Sequence, residues 1–78
     1  MKENITKIYW SMKEVTENLN TTSATIRNWC EWYAVTPRRN RKGNRIFTQQ
    51  DIYRLQVIHI LVNVEGRTTK GVQRELGL

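Results

Sequence analysis

The sequence predicts a mainly α fold, with about four short helices and a small two-stranded antiparallel ribbon. Three observations predict it. Capping residues repeatedly precede apolar positions spaced three and four apart. The first two such segments are separated by only a short polar break. After them Pro37 introduces a basic segment that bends at a glycine. At 78 residues the chain has room for one small core, and we expect a single domain over residues 5–78.

Ser11-Met12-Lys13-Glu14 has the form of a capping box, in which the serine hydroxyl and the glutamate each satisfy an amide of the first turn. Met12, Val15 and Leu19 follow as one apolar stripe, predicting a helix over about 12–18. Asn20 suits the left-handed end of that helix, and Thr22 suits the start of the next. The second helix, about 23–33, gathers Ile26, Trp29, Cys30 and Tyr33 on one face. Ser23, Thr25, Arg27, Asn28 and Glu31 lie mainly off it. Two short helices joined by about four residues form the helix-turn-helix pattern, here over 11–33.

The ribbon is expected over 36–47, turning at Lys42-Gly43-Asn44. Thr48-Gln49-Gln50-Asp51 opens a third helix with a carboxylate at its positive end. That helix, expected over 49–64, carries Ile52, Leu55, Ile58, His59 and Val62 toward a core. Its run Val57-Ile58-His59-Ile60-Leu61-Val62 also suits a buried strand, but the length from Gln49 and the cap favour a helix. The run's apolar surface is wider than one small domain is expected to cover. Thr68 or Thr69 then caps a short helix over 69–76, with Val72 and Leu76 inward. Both later helices brace the first two, completing a winged helix-turn-helix.

The charge is unevenly placed. Thirteen Lys and Arg against seven Asp and Glu give +6. Residues 1–37 are balanced, with four of each sign, and residues 46–78 contribute only +1. The remaining +5 lies in the eight residues Arg38 to Arg45, among which there is no acid. A compact basic segment points to a placed contact with a polyanion. The single cysteine rules out an internal disulfide and fits a reducing compartment. No basic–apolar–small leader and no apolar run near 18 residues is present, so neither membrane insertion nor export is expected.

From Tyr9 to Leu76 the chain resembles the DNA-binding domain of MerR-type winged-helix regulators. The family pattern aromatic–x–I–x–E–[LV]–A is met by Trp10-Ser11-Met12-Lys13-Glu14-Val15-Thr16. The pattern G-V-S-x-x-T-[IL]-R-x-[YW] is met by Asn20-Thr21-Thr22-Ser23-Ala24-Thr25-Ile26-Arg27-Asn28-Trp29. A proline, basic residues and G-x-R-x-[YF] correspond to Pro37-Arg38-Arg39 and Gly43-Asn44-Arg45-Ile46-Phe47. Gly66-Arg67-Thr68-Thr69-Lys70-Gly71-Val72 resembles the segment that follows the third helix. Asn20, Thr16 and Thr69 depart from the usual glycine, alanine and leucine, and the common G-L-L before the proline is missing.

The resemblance implies sequence-specific binding of double-stranded DNA in transcription regulation, in the bacterial cytoplasm at the nucleoid. It also implies a homodimer, because family members continue past the position of Leu78 into a long dimerisation helix and an effector domain. The second helix would enter the major groove with Thr22, Ser23, Thr25, Arg27 and Asn28. Arginine and asparagine there can pair with guanine and adenine edges, whereas Thr22 and Ser23 also make sense simply as caps. Arg27 has a competing partner in Glu31, four residues on. Arg38, Arg39, Arg41 and Lys42 would neutralise phosphates and release counterions. Asn44 belongs to the same wing, and Arg45, carried over from the family's G-x-R, would meet the backbone or minor groove beside it.

The other chemistry-bearing residues have plainer readings. Tyr9 and Trp10 read as packing or strand residues, Trp29 and Cys30 as core, and His59 as a packed or interface residue, while Trp32 is ambiguous, with packing under the wing as one reading. Cys30 and His59 do not make a metal site. Gly66 to Gly71 has the composition of a phosphate loop in the wrong order. No nucleophile–base–acid set is present, so neither an enzyme nor a cofactor is expected. Two further readings stay open at this point. One is an excisionase-like architectural factor. The other is a chaperone-modulator-like protein-interaction module that docks a partner through its third helix or Trp32, without DNA.

Overall fold

The computed structural model describes residues 8–78, so the domain start expected at residue 5 lies outside the described residues. A short strand β1, Trp10–Ser11, leads directly into α1, Met12–Leu19. The capping box forms as expected: the Ser11 hydroxyl accepts from the Glu14 amide at 3.2 Å, and the Glu14 carboxylate accepts from the Ser11 amide at 2.8 Å. Asn20 ends the helix in the left-handed region, at φ 54°. Thr22 then caps α2, Ser23–Trp32. α2 closes on Ala34 at φ 58°, where the Val35 amide donates back to the Cys30 carbonyl at 3.1 Å. An alanine here carries the strain that a glycine would avoid. The turn offsets it by sending Val35 into the core, where it is 3% exposed.

The ribbon comprises β2, Arg38–Arg39, and β3, Arg45–Phe47. The expected two-stranded ribbon gains a third strand. β1 pairs antiparallel with the other edge of β3, giving the order β1-β3-β2, with Trp10 opposite Phe47 and Arg39 opposite Arg45. The physical reason is that β3 ends on a fully buried Phe47. Its backbone needs partners on both sides, and Trp10–Ser11 is the segment that arrives there. The base of the ribbon is thereby tied to the start of α1.

Thr48 and Asp51 form a second capping box at the start of α3, Gln49–His59. The β-branched run after Val57 is helical, but its last turn differs from the expected α-helix. Ile60–Val64 form a π-helical turn, closed by the Glu65 amide on the Ile60 carbonyl and the Arg67 amide on the Leu61 carbonyl. Gly66, at φ 66°, then turns the chain. Thr68 caps α4, Thr69–Glu75. Arg67 holds this corner with ion pairs to Glu65 at 2.9 Å and Glu75 at 2.8 Å.

The core joins Val15 and Leu19 of α1, Ile26, Trp29 and Cys30 of α2, Phe47 of β3, Ile52, Leu55 and Ile58 of α3, and Val72 of α4. No polar or charged residue is buried among the described residues. His59 is half-buried, edge-on to the Trp29 ring at 6.2 Å between centroids, with Nδ1 2.9 Å from the Asn63 amide nitrogen. It is a packing residue.

Candidate nucleic-acid interface

The first turn of α2 explains its own hydroxyls in part. Thr22 Oγ1 accepts from the Thr25 amide at 3.2 Å and donates to Thr25 Oγ1 at 3.0 Å. Thr22 is therefore committed as a cap, while Thr25 keeps a hydroxyl hydrogen to give. Ser23 is half-buried. Arg27 and Asn28 are exposed, and among the described residues no ion pair joins Arg27 to Glu31. The competing intrahelical reading of Arg27 is thus not realised.

The wing tip is built around a residue that sequence reasoning missed. Asn40 Oδ1 accepts from the amides of Lys42 at 2.9 Å and Asn44 at 3.0 Å. The Asn40 amide donates to the Asn44 carbonyl, and the Gly43 amide donates to the Asn40 carbonyl. Gly43 supplies the positive φ of 84° that this turn requires. Arg39 Nη1 closes the loop by donating to the Gly43 carbonyl at 2.8 Å. The available signal was an asparagine followed by a turn sequence, the pattern of a side chain bonding its own backbone two residues on. Arg41 and Lys42 project from this tip, exposed and without side-chain partners among the described residues.

Two concavities lie between the wing and the helices. The first, about 350 Å³, is bordered by Ser11 and Lys13 of α1, Arg27 of α2, and Arg39, Asn44 and Arg45 of the wing. The second, about 580 Å³, is bordered by Arg27, Asn28 and Glu31 of α2 with Pro37, Arg39 and Arg45. Arg27, Arg39 and Arg45 line both. The fold therefore joins a helix-2 arginine and two wing arginines into one positively charged ridge. Of the expected site residues, Arg27, Asn28, Arg39, Asn44 and Arg45 meet here, while Thr22, Ser23, Thr25, Arg38, Arg41 and Lys42 line neither concavity. Ser11 and Lys13 were not foreseen as neighbours of the wing, because only the pairing of β1 with β3 brings them there.

Cys30 reaches the second concavity from below but is 8% exposed. Burial pushes its thiol up to about 11, against the opposing pull of Arg45. It is a poor thiolate and a poor metal ligand at neutral pH. Among the described residues no group of His, Cys, Asp and Glu is placed to hold a metal ion. Of the readings open for Trp32, packing under the wing is not the one realised: it ends α2 with 45% exposure, and the Gln73 amide of α4 donates to its carbonyl at 2.9 Å. The physical reason is that Trp29, one helical turn earlier, already fills the inward position on that face. No helix among the described residues is long and apolar enough to cross a membrane.

Comparison with known proteins adds three findings. No curated protein matches the chain. Among solved structures, the chain is similar to HiNmlR, described as a MerR family regulator lacking the sensor domain, bound to promoter DNA. The TM-score is 0.71 at 20% identity, over 90% of this chain and 56% of that one. At that identity the likeness is one of fold, and the chain spans little more than half of that regulator's length. The family model of the MerR HTH regulatory proteins matches residues 10–77. The chain belongs to the MerR HTH family of regulatory proteins.

Proposed function

We propose that this chain binds double-stranded DNA sequence-specifically in transcription regulation, acting by binding and without chemistry of its own. The observation that carries the reading is the shared ridge of Arg27, Arg39 and Arg45 between α2 and the wing. A reading helix and a backbone-tracking hairpin have to meet one duplex together, and these residues form their common border. α2 enters the major groove, where Arg27 and Asn28 meet base edges and Thr25 donates its hydroxyl. Thr22 and Ser23 sit at the positive end of α2, against a phosphate. Arg38, Arg41 and Lys42 neutralise phosphates along the adjacent backbone, with Arg39, Asn44 and Arg45 at the wing's inner edge.

The likeness to a regulator bound to promoter DNA supports this reading, as does family membership. The unit that carries it is a single domain, working at the nucleoid of the cytoplasm. Two copies act on an inverted repeat, with half-sites about 34 Å apart along one face of the duplex. The test is duplex binding followed at rising salt, together with selection of bound sequences from a random pool. The reading expects steep salt dependence and an enriched half-site. A folded protein with no duplex binding at low salt overturns it.

A further inference from the structure

A separate cavity, of about 240 Å³, lies where the ends of α2 and α4 meet α3. Val35, Ile58, Leu76 and Leu78 form its apolar walls, and two polar side chains, Tyr33 and Arg54, border it. Local structure accounts for the walls. The left-handed turn at Ala34 brings Val35 in after α2, and a second turn at Gly77, φ 78°, ends α4. That second turn folds Leu78 back, with its amide donating to the Gln73 carbonyl at 2.9 Å. Through its side-chain amide Gln73 also holds the Trp32 carbonyl, so the two helix ends that frame the cavity are tied to each other. Arg27, Arg39 and Arg45 do not border it, and Val35 is the single residue it shares with the larger concavity beside α2. The cavity therefore stands apart from the positively charged ridge.

Its two polar groups are without partners. Tyr33 is 3% exposed, yet its hydroxyl makes no hydrogen bond among the described residues. A buried tyrosine hydroxyl ordinarily has a partner, because giving up water without replacement costs free energy. Arg54 is exposed and makes no ion pair among the described residues. Both groups can donate, and no Asp or Glu borders the cavity. A carboxylate is the head group that answers both. It only accepts, takes two parallel hydrogen bonds from a guanidinium, and keeps a lone pair for the hydroxyl. The four aliphatic walls call for a hydrocarbon body, which inorganic phosphate lacks. Size sets the length. At roughly 30 Å³ per water molecule, 240 Å³ holds about eight waters, which is room for about eight non-hydrogen atoms. A nucleotide or a folded partner does not fit that space.

We propose that this cavity is a binding site for a short aliphatic monocarboxylate. Its head lies on Arg54 and the Tyr33 hydroxyl, and its chain lies against Val35, Ile58, Leu76 and Leu78. The inference does not rest on the DNA reading, and it is measured without a duplex.

The test is titration of the ¹⁵N-labelled 78-residue chain with hexanoate, followed through the amide chemical shifts, with hexanamide as the neutral analogue of the same size. The expected result is saturable shifts centred on Tyr33, Val35, Ile58 and Leu76. Hexanoate should bind at least about tenfold more tightly than hexanamide, the difference a charge-assisted hydrogen bond makes. Arg54→Gln, at an exposed position, should lower hexanoate to the affinity of hexanamide. Tyr33→Phe should weaken hexanoate severalfold without lowering the urea midpoint, because the hydroxyl it deletes has no partner among the described residues. Shifts that never saturate or that centre on the basic wing overturn the proposal. So does equal binding of hexanoate and hexanamide, or an Arg54→Gln chain that binds hexanoate as wild type does. Hexanoate affinity unchanged by Tyr33→Phe overturns the hydroxyl's part in the site.

Discussion

Replacing Arg41 and Lys42 together by alanine separates electrostatic grip from everything else the wing does. Both side chains project from the turn without partners among the described residues, so their loss leaves the hydrogen bonds of Asn40 and Arg39 in place. The wing holds five bases between Arg38 and Arg45. If each meets a phosphate, log affinity falls with log salt at a slope of about −4.5, from roughly 0.9 per contact. The double variant removes two contacts and leaves a slope of about −2.7. Over a fourfold rise in salt, wild type should weaken about 500-fold and the variant about 40-fold. Fluorescence anisotropy with a labelled duplex of arbitrary sequence measures this, because the effect is independent of base identity. An unchanged slope, whatever the affinity, would refute the placement of Arg41 and Lys42 on phosphates.

Three other outcomes follow from the same geometry. Arg27→Ala should relax preference at one base pair by about 1–3 kcal/mol, measured against a panel of single-base variants of the selected site. An equal loss on every sequence would make Arg27 a phosphate contact. Asn40→Ala deletes the acceptor for two tip amides, so binding should weaken about tenfold with the salt slope intact. Faster hydrogen exchange at Lys42 and Asn44 should accompany it, and unaltered exchange would show that the asparagine does not hold the tip. For Cys30 the raised thiol sets a sign. Above the ordinary thiol pKa the unfolded chain loses its proton first, so stability falls as pH rises from 9.0 toward about 11. The urea midpoint of wild type should therefore fall relative to Cys30→Ala across that range, and a constant difference would contradict it.

The elements most legible in the sequence are those specified by contacts within four residues. Ser11 with Glu14 and Thr48 with Asp51 cap where their spacing predicts, and Thr68, one of the two threonines expected there, caps the last helix. The bend at Gly43 is equally local. What was not legible depends on distant partners. Trp10 reads as a packing or strand residue, but its partner depends on Phe47, which is drawn into the core and exposes the second edge of β3. The π-helical turn has no local signature in Ile60–Val64; it lets Leu61 stay buried while Ile60 and Val64 do not. The candidate site divides the same way. Its basic residues are a contiguous run, but the meeting of Arg27 with Arg39 and Arg45 is a product of the sheet.

Arg39 shows why the ridge and the wing tip behave as one device. Its guanidinium carries five N–H donors, and one of them is spent on the Gly43 carbonyl inside the hairpin. The rest of the group borders both concavities beside Arg27. Ordering the tip and aiming this cation at the border of α2 are therefore a single event, completed before any ligand arrives. Arg41 and Lys42 supply attraction that any polyanion would feel. Under the proposed function, Arg39, held from the tip and bordering the helix, would convert that attraction into an orientation, because a duplex that satisfies it would also lie across Arg27. Lysine at this position would keep the charge but replace the rigid fork with a flexible point donor, so the coupling belongs to the guanidinium and not to the charge alone.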